Sequence, residues 1–424
     1  MEKEQIEVGS GTFGQVVTSP GCGSCYKTFH SEIPESMFHQ MALFQMLRSV
    51  AAASPEDHTF IEKHFTLGDH AFRIGNQLKC GFVMPLQCMD LHQYVSDQGV
   101  LTGRRLVALH DDVCNAVAWL NRRGIFVCDI SPGNTLLGTD ERWRLCDFDL
   151  WRGSPYVYTP AYSLPLRAPE LLLPAGENDP SLQATEAWAV GMTLDFANRG
   201  SYVFSSITDT QAMLCAIANF FSHDSTMPAD MRQHLADKAP IPFKRTPDWP
   251  VYCALLTLDP TQRRLPTDTT TLHWPSAPWR WQFAASGHIS PELRAAHCLA
   301  ITDEVSLEGY APAQALCAMA LIDLHLSRLW ADPPATVETS LLIAALFLGN
   351  VHTQSLGIAD QTISRWTAAF GRATRCQIFD MIEQLSGESG WQCPFGIGLW
   401  TMDVTVDMLE EMTNTPGQVY ARFQ

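Results

Sequence analysis

One short stretch of the sequence combines residue types that could carry out chemistry. Asp129 is followed by Asn134 five residues later and by Asp147 thirteen residues after that, with short apolar runs between them. A carboxylate can accept the proton of an attacking hydroxyl group, and the side-chain oxygens of Asn and Asp can bind Mg²⁺. The set predicts phosphoryl transfer from ATP, with Asp129 as the base and with Asn134 and Asp147 as metal ligands.

A glycine-rich segment near the N-terminus could bind the phosphates. GSGTFGQV contains Gly9, Gly11 and Gly14, followed by Val16, within a stretch (5–30) whose alternating pattern predicts two or three short antiparallel strands. A glycine has no side chain, so it lets the backbone approach phosphate groups closely. Because glycine-rich turns are common, this motif alone would favour an ordinary loop.

Lys27 lies on the next predicted strand, where its ammonium group could bind the α- and β-phosphates of ATP. A single lysine on a strand is usually a solvated surface charge. Its spacing from the glycine-rich segment, together with Asp129, Asn134 and Asp147 downstream, favours the binding role.

The elements that must position these residues are mostly helical. Residues 36–50 have the helical spacing of apolar side chains, and 101–124 and 183–198 are further amphipathic helices. A Pro- and Trp-rich stretch at 273–283 is the best linker candidate, so we expect a domain boundary near residue 284. Beyond it, the pattern predicts helices near 291–303, 312–330, 336–350, 359–370, 374–386 and 402–412.

The composition favours a globular protein of a reducing compartment. Hydrophobic residues make up 46% of the 424 residues, and the net charge of −17 argues against a general nucleic-acid partner. The thirteen cysteines lack a disulfide-framework spacing, and the Cys22–Cys25 pair lacks the further ligands that zinc needs. The longest apolar run, SLLIAALFLG, is too short to cross a membrane, and the N-terminus has no apolar signal region. We expect an intracellular location, cytoplasmic or nuclear, without nucleic-acid or membrane partners.

Residues 1 to about 283 resemble a eukaryotic-type protein kinase, and several segments are similar to cyclin-dependent kinases. EIPESMFHQMALFQML resembles the PSTAIRE helix of that family. FVMPLQCMDLHQYV resembles the hinge, which implies that Met84 is the gatekeeper and that Leu86 lies against the adenine. DISPGN is closer to the catalytic loops of kinases encoded by herpesviruses, which suggests a viral protein from a large DNA virus.

Other segments resemble the end of the kinase activation segment and parts of the kinase C-lobe. Ala168, Pro169 and Glu170 match the Ala-Pro-Glu motif, and Arg263 in LDPTQRR is the expected ion-pair partner of Glu170. EAWAVG lies where the family has D-x-W-x-x-G. Thr159 lies near the activating phosphothreonine position of cyclin-dependent kinases, although an ordinary loop threonine is the simpler interpretation.

One departure from the family pattern falls on the predicted partner of the strand lysine. Gln40 occupies the place of the helix glutamate that pairs with this lysine. Its carbonyl oxygen can still accept a hydrogen bond from Lys27, but it lacks charge, so the interaction is weaker. Glu35 is a less favoured substitute, more than one helical turn earlier.

Further departures lie around the catalytic loop. Val127 and Cys128 replace the His and Arg before the catalytic Asp, Ser131 replaces a lysine that helps to stabilise the transferring phosphate, and Asp149 replaces a glycine. Arg152 is the remaining arginine that could hold a phosphorylated activation loop. We therefore expect little dependence on loop phosphorylation.

The C-terminal region resembles a cyclin box. ALCAMALIDLHLSRL at 315–329 is similar to its second helix, VETSLLIAALFLGNVHTQ to its buried third helix, and 374–386 to its fifth. The lysine and the acid that cyclins use to contact the kinase correspond to Asn350 and to Asp380 or Glu383. Because apolar helix patterns recur in any bundle, a generic helical domain is an interpretation of nearly equal weight.

The resemblances imply an α+β bilobal protein-kinase fold (N-lobe 1–87, C-lobe 88–283) followed by an all-α cyclin-like helical domain (284–424). They imply a serine/threonine protein kinase that uses ATP and Mg²⁺, acts on a protein substrate and carries an activator in cis. Retention of the base and the metal ligands favours an active enzyme. A pseudokinase scaffold with a helical interaction domain is the alternative, and a small-molecule phosphotransferase is disfavoured by the Ala-Pro-Glu motif.

Overall fold

The chain forms two compact units in the computed structural model. The first unit comprises 1–54, 68–86 and 275–424, and the second comprises 55–67 and 87–274. The predicted N-lobe therefore shares a unit with the C-terminal helical region, and a short helical segment of the N-lobe joins the second unit. The structure describes residues 6–10, 14–30, 35–69, 71–74, 79–153, 162–173, 181–205, 207–220, 246–265, 298, 300–302, 312–328, 339–353, 360–370, 373–388 and 408–409.

Both units contain regular secondary structure. The strands are β1 Ile6–Ser10, β2 Gly14–Thr18, β3 Ser24–Phe29, β4 Ala71–Ile74, β5 Lys79–Pro85, β6 Met89–Asp90, β7 Thr135–Leu137 and β8 Trp143–Leu145. The α-helices are α1 Glu35–Ala53, α2 Pro55–His64, α3 Leu91–Gln98, α4 Gly103–Asn121, α5 Leu182–Arg199, α6 Thr210–Phe220, α7 Pro312–Arg328, α8 Thr339–Thr353, α9 Asp360–Phe370 and α10 Arg375–Glu388. Among the described residues, no helix combines the length and the apolar character that crossing a membrane requires.

The first unit contains an antiparallel sheet with the strand order β1-β2-β3-β5-β4. Two or three strands are predicted within 5–30, and three form: β1, β2 and β3. Gly14 begins β2 at a point where a Cβ atom would collide with the backbone carbonyl of Thr28 on β3. The close approach of the two strands therefore requires glycine here, independently of any phosphate.

Helix α1 packs against this sheet. It covers the predicted range 36–50 and extends at both ends, to Glu35 and Ala53. The ring of Phe44 meets that of Phe82 on β5 edge to face, with centroids 5.4 Å apart. The apolar side chains predicted to share one helix face are all buried: Met37, Met41, Phe44 and Leu47.

The C-terminal part of the first unit is helical, and α8 is its most buried helix. Every residue of α8 from Ser340 to Val351 is buried, because α7, α9 and α10 all pack against it. A Cβ atom at Gly349 would lie 2.6 Å from the carbonyl oxygen of Gln314 on α7, so glycine allows the two helices to approach closely. Helices α7 to α10 match the predicted ones to within a few residues, whereas the predicted linker at 273–283 lies outside the described residues.

The second unit surrounds a small sheet of β6, β7 and β8, in which both strand pairs are antiparallel. Helix α5 is buried from Ala184 to Asn198 and packs against α4. Helix α2 joins α4 through Asp57, which accepts hydrogen bonds from the guanidinium of Arg123 at 2.8 Å and the indole of Trp119 at 3.3 Å. This frame supports the loop that carries Asp129.

Candidate active site

The loop from Asp129 to Asn134 is held in one conformation by its own hydrogen bonds. The side-chain amide of Asn134 donates from Nδ2 to the Asp129 carboxylate at 2.6 Å and to its main-chain carbonyl at 3.0 Å. The main-chain N–H of Asn134 reaches the carbonyl of Ser131 at 3.2 Å, and the Thr135 hydroxyl donates to the same carbonyl at 2.8 Å. The predicted base and the first predicted metal ligand are therefore in direct contact.

Asp147 lies just beyond the end of β8, beside the same loop. The register of β7 and β8 sets Thr135 opposite Leu145, and the N–H of Cys146 donates to the carbonyl of Asn134 at 3.0 Å. Phe148 is fully buried and meets the ring of Phe65 edge to face at 6.0 Å. The hairpin thus brings the second predicted metal ligand next to the first in the fold.

The backbone at this site is strained. Three non-glycine residues among those described have positive φ, and two of them are Cys128 (61°), which precedes Asp129, and Asp147 (57°). Aspartate tolerates the left-handed region better than most residues, but a cysteine there has no such compensation. Strain of this kind costs about 1–3 kcal/mol per residue and clusters at active sites.

Glu186, on α5, holds the strained Cys128 in place. Its Oε1 atom accepts hydrogen bonds from the main-chain N–H groups of Val127 and Cys128, the latter at 3.0 Å. The side chain is fully buried, and this burial raises the pKa of Glu186 to about 8, although both N–H groups act in the opposite direction. The sequence comparison matched EAWAVG to D-x-W-x-x-G but gave Glu186 no role. The presence of another acidic residue, Glu186, where the family has aspartate was the signal that could have pointed to it.

The pair expected between Glu170 and Arg263 is formed. Two guanidinium nitrogens of Arg263 contact the two carboxylate oxygens of Glu170 at 2.5 and 2.7 Å. The same side chain donates to the carbonyls of Thr257, Leu258 and Ala184 and lies over the ring of Trp188 at 4.9 Å. A buried arginine with this many acceptors fixes the segment that begins at Ala168.

Lys27 lies on the face of the first unit's sheet that meets α1. In the strand register it is opposite Val16 on β2 and Phe82 on β5, so the three side chains share a face. The side chain is 7% exposed, and its Nζ atom lies 5.5 Å from the centre of the Phe29 ring. Burial of a lysine at this depth is unusual for a simple surface charge.

Comparison with known families decides between a chance pattern and a real one. The sequence profile of the protein kinase domain matches residues 3–271, which is more than half of the chain. The chain belongs to the protein kinase family.

Individual kinases match shorter parts of the chain. Serine/threonine-protein kinase kin-29 of Caenorhabditis briggsae is 26% identical over 178 residues, or 39% of this chain and 20% of that protein. Serine/threonine-protein kinase VHS1 of Saccharomyces cerevisiae is 35% identical over 81 residues, or 18% of each chain. The US3 homolog of Gallid herpesvirus 2 is 28% identical over 131 residues, or 30% of this chain and 31% of that protein. The chain spans less than a third of the length of these kinase relatives, and its likenesses to cyclin-dependent kinases and to the cyclin box stay predictions.

The kinase hinge predicted at Met84 and Leu86 joins β5 to β6. Both side chains are half-buried. The N–H of Leu86 donates to the carbonyl of Gly23 at 3.0 Å, and the thiol of Cys25 lies 3.6 Å from the carbonyl of Met84. The turn before β3 therefore packs against the segment predicted to meet adenine.

The hydrogen bond predicted from Lys27 to Gln40 is not present in the structure, and this expectation is corrected. Gln40 is fully buried on α1, and neither its Oε1 nor its Nε2 atom makes a hydrogen bond with a described residue. An uncharged amide exerts little attraction on an ammonium group, which explains why the pair does not form. Glu35, the proposed substitute, accepts a hydrogen bond from Asn350 on α8 at 2.6 Å.

The remaining predicted regulatory and phosphate-binding residues are only partly described. Arg152 forms an antiparallel bridge with Phe126 through both main-chain groups, and its guanidinium donates to the carbonyl of Trp151 at 3.1 Å. Gly9 lies at a bulge in the pairing of β1 with β2. Gly11 and Thr159 lie outside the described residues.

Helix α1 is covered by the C-terminal helices on the side that carries Phe38. The Phe38 ring meets Phe347 of α8 edge to face at 5.5 Å and Phe379 of α10 at 5.6 Å. His39 donates from Nδ1 to the carbonyl of Val351 at 3.3 Å. Asn350, which bonds Glu35, also accepts from Gln314 at 3.0 Å. The C-terminal helical region thus contacts α1 through Phe38, His39 and Glu35.

Proposed function

We propose that the chain is a serine/threonine protein kinase that transfers the γ-phosphoryl group of ATP to a protein hydroxyl. The observation that carries the proposal is the hydrogen-bonded pair Asp129–Asn134 held beside Asp147. Asp129 would accept the proton of the substrate hydroxyl, and its bond from Asn134 fixes the carboxylate for that task. Family membership and the serine/threonine kinases among the relatives support the same reaction.

The donor set fits ATP with Mg²⁺. Because Asn134 uses Nδ2 to bond Asp129, its Oδ1 atom is the one available to a cation, and Asp147 adds a second hard oxygen ligand. Mg²⁺ is usually held by one or two protein groups and by phosphates, which agrees with the lack of any three-residue His, Cys, Asp or Glu cluster among the described residues. Bound ATP and Mg²⁺ would supply the phosphoryl group and offset its charge.

The residues of the first unit would bind and orient the nucleotide. Lys27 would contact the α- and β-phosphates, and the glycines at 9, 11 and 14, with Val16, would cover them. Met84 would limit the depth of the adenine site and Leu86 would pack against the base. The burial of Lys27 supports this role.

The substitution Asp129→Asn tests the reaction. It keeps the shape of the side chain but removes the proton acceptor, so transfer of labelled phosphate from ATP to serine and threonine peptides should fall at least about a hundredfold. Asp111→Asn, at an exposed carboxylate on α4, is the matched control and should change nothing. Equal transfer by wild type and Asp129→Asn would refute the assignment of the base.

The buried and unbonded amide of Gln40 favours a second candidate, a nucleotide-binding pseudokinase scaffold. Because Gln40 is uncharged and unbonded, it cannot orient Lys27 as a helix glutamate would, and positioning errors alone can cost large rate factors. The two candidates differ in one pair of measurements. Mg·ATP should raise the melting temperature of either protein, but only a kinase should transfer phosphate in a manner that depends on Asp129.

We further infer that the C-terminal helical region is a cyclin-like activator in cis. Activation would consist of holding α1, the helix that carries Gln40, through Phe38, His39 and Glu35. Covalent linkage supplies an effective concentration of order millimolar, so the contact needs little intrinsic affinity. The polar bonds at the cyclin lysine position support this role.

A further inference from the structure

Three aromatic rings form a cluster on the surface of the second unit. His92 on α3, Phe196 on α5 and Tyr202 after α5 contact one another, with centroids 4.6 Å (His92–Phe196), 4.8 Å (Phe196–Tyr202) and 5.6 Å (His92–Tyr202) apart. Phe196 is buried, whereas His92 is exposed and Tyr202 is half-buried. The two accessible rings, packed on the buried one, form a contiguous aromatic surface of the kind that marks interaction sites.

The surrounding elements fix these rings. Asp90 caps α3 by accepting a hydrogen bond from the N–H of Gln93 at 2.8 Å. Gly200, with φ of 86°, ends α5 and turns the chain so that Tyr202 lies back over Phe196. The Tyr202 hydroxyl is 3.0 Å from Nε2 of His92. The cluster is therefore preformed.

The cluster lies beside the catalytic loop. The N–H of Leu91 donates to the carbonyl of Pro132 at 3.1 Å, and a Cβ atom at Gly133 would be 3.9 Å from His92. Burial, followed by the charges of Asp129 and Asp90, raises the pKa of Tyr202 to about 12. Asp90 caps the helix that carries His92, two residues before it, and Asp129, the proposed base, belongs to the loop that contains Gly133, so the surroundings of the rings are acidic.

The combination is suited to a cation. Aromatic faces attract Arg and Lys side chains through their quadrupole, and nearby carboxylates add Coulomb attraction. Desolvation lowers the pKa of His92, with Asp90 acting in the opposite direction, and the lowered pKa disfavours the imidazolium form that would repel a cation. The net charge of −17 also attracts basic peptides, over longer distances.

We propose that His92, Phe196 and Tyr202, with Asp90, form a substrate subsite for an arginine or lysine side chain near the phosphate-accepting serine or threonine. The inference rests on the proposed kinase function, because it places the protein substrate next to Asp129. It assigns a basic class of substrate to that site.

Binding of labelled peptides to the full chain tests the subsite without requiring turnover. Peptides would carry Arg, Lys, Met or Glu at successive positions around an alanine that replaces the acceptor, and fluorescence anisotropy would report affinity. At one or two positions the basic peptides should bind about tenfold more tightly than the Met peptide, with a preference that weakens at high salt. The Glu peptides should bind most weakly.

Substitutions test whether the preference for basic peptides arises at this aromatic cluster. Tyr202→Leu should remove most of it, and Tyr202→Phe, which keeps the ring but not the hydroxyl, should retain it. Tyr94→Leu is the matched control, because Tyr94 is on the same helix as His92 but packs against Trp143 at 5.5 Å. Equal affinity for Arg and Met peptides at every position, or an unchanged preference in Tyr202→Leu, would overturn the inference.

Parallel transfer assays with serine-containing peptides separate this inference from the function on which it rests. Phosphate transfer without any basic preference would leave the kinase proposal standing and reject the subsite. Basic binding without transfer would retain the subsite and reject the kinase proposal.

Discussion

Cys128 and Asp147 have a left-handed backbone, which most side chains disfavour. Cys128 precedes the proposed base, and Asp147 is a proposed metal ligand. Such conformations persist only where the surroundings fix them. For Cys128 the fixing group is Glu186, whose buried carboxyl accepts hydrogen bonds from two successive main-chain N–H groups. A fully buried side chain thus sets the backbone geometry just before Asp129, the proposed base.

Glu186→Gln should change how stability depends on pH. The pKa of Glu186 is about 8 in the folded chain, against an ordinary 4.5, so between these values the folded state holds a proton that the unfolded state has lost. Its stabilising contribution is complete below pH 4.5 and decreases as pH rises towards 8, by up to about 1.4 kcal/mol per pH unit. Glutamine keeps the acceptor oxygen but does not titrate.

The measurement is the melting temperature of Glu186→Gln minus that of wild type at about pH 5.5 and about pH 7.5. This difference should become more positive at the higher pH, since only the wild type then has to bury a charge. Glu56→Gln, at an exposed position on α2, is the control and should give a constant difference. A pH-independent difference for Glu186→Gln would contradict the burial argument.

At the scale of elements, the contacts between α1 and α8 include one aromatic pair and two hydrogen bonds. Phe38 packs on Phe347, while Asn350 connects Glu35 to Gln314 on α7. A buried amide without a hydrogen-bond partner destabilises the fold. These polar contacts therefore favour one particular arrangement of the helices. They link the helix that carries Gln40 to the centre of the helical region.

A double-mutant cycle on Glu35→Ala and Asn350→Ala should reveal this coupling. Each single substitution should lower the free energy of unfolding, and the double variant should lose about 1–2 kcal/mol less than the sum, because a hydrogen bond to a charged group is lost only once. Chemical unfolding measures the coupling, and phosphate transfer should decrease in parallel if α8 supports α1 for catalysis.

Gln45→Ala provides the control for this cycle, since Gln45 is half-buried on the same helix as Glu35. Paired with Asn350→Ala, it should give additive losses. Strictly additive losses for Glu35 and Asn350 as well would show that the bond contributes nothing to the contact.

At the scale of the molecule, one compact unit is built from both ends of the chain. Residues 1–54 and 68–86 belong to the same unit as 275–424. The sequence pattern had instead placed both of these N-terminal segments in one domain with the kinase C-lobe. The helical region covers an apolar side of α1 that includes Phe38, which is 1% exposed. Removing that cover would expose buried apolar surface.

Truncation after residue 283 should therefore leave a protein that is poorly soluble or inactive. Loss of the Phe38 contacts exposes aromatic surface, and exposed apolar patches promote aggregation. Solubility, size-exclusion behaviour and phosphate transfer of residues 1–283 are the measurements, with the full chain as reference. Full activity of a soluble, monomeric 1–283 fragment would rule out the cis-activation proposal.

The catalytic hypothesis and the positions of several helices could be predicted from local sequence alone. The spacing of Asp129, Asn134 and Asp147 pointed to phosphoryl transfer, and the apolar periodicity located α1 and α7 to α10. These features are local because hydrophobic spacing and motif order depend on residues near one another in the chain.

The contacts between residues far apart in the chain could be read only from the folded structure. It joined Asn350 to Glu35 across 315 positions, left Gln40 without the bond expected from Lys27, and gave Glu186 its place behind Cys128. No local pattern specifies such partners, because burial, packing and competing hydrogen bonds are set by the whole fold.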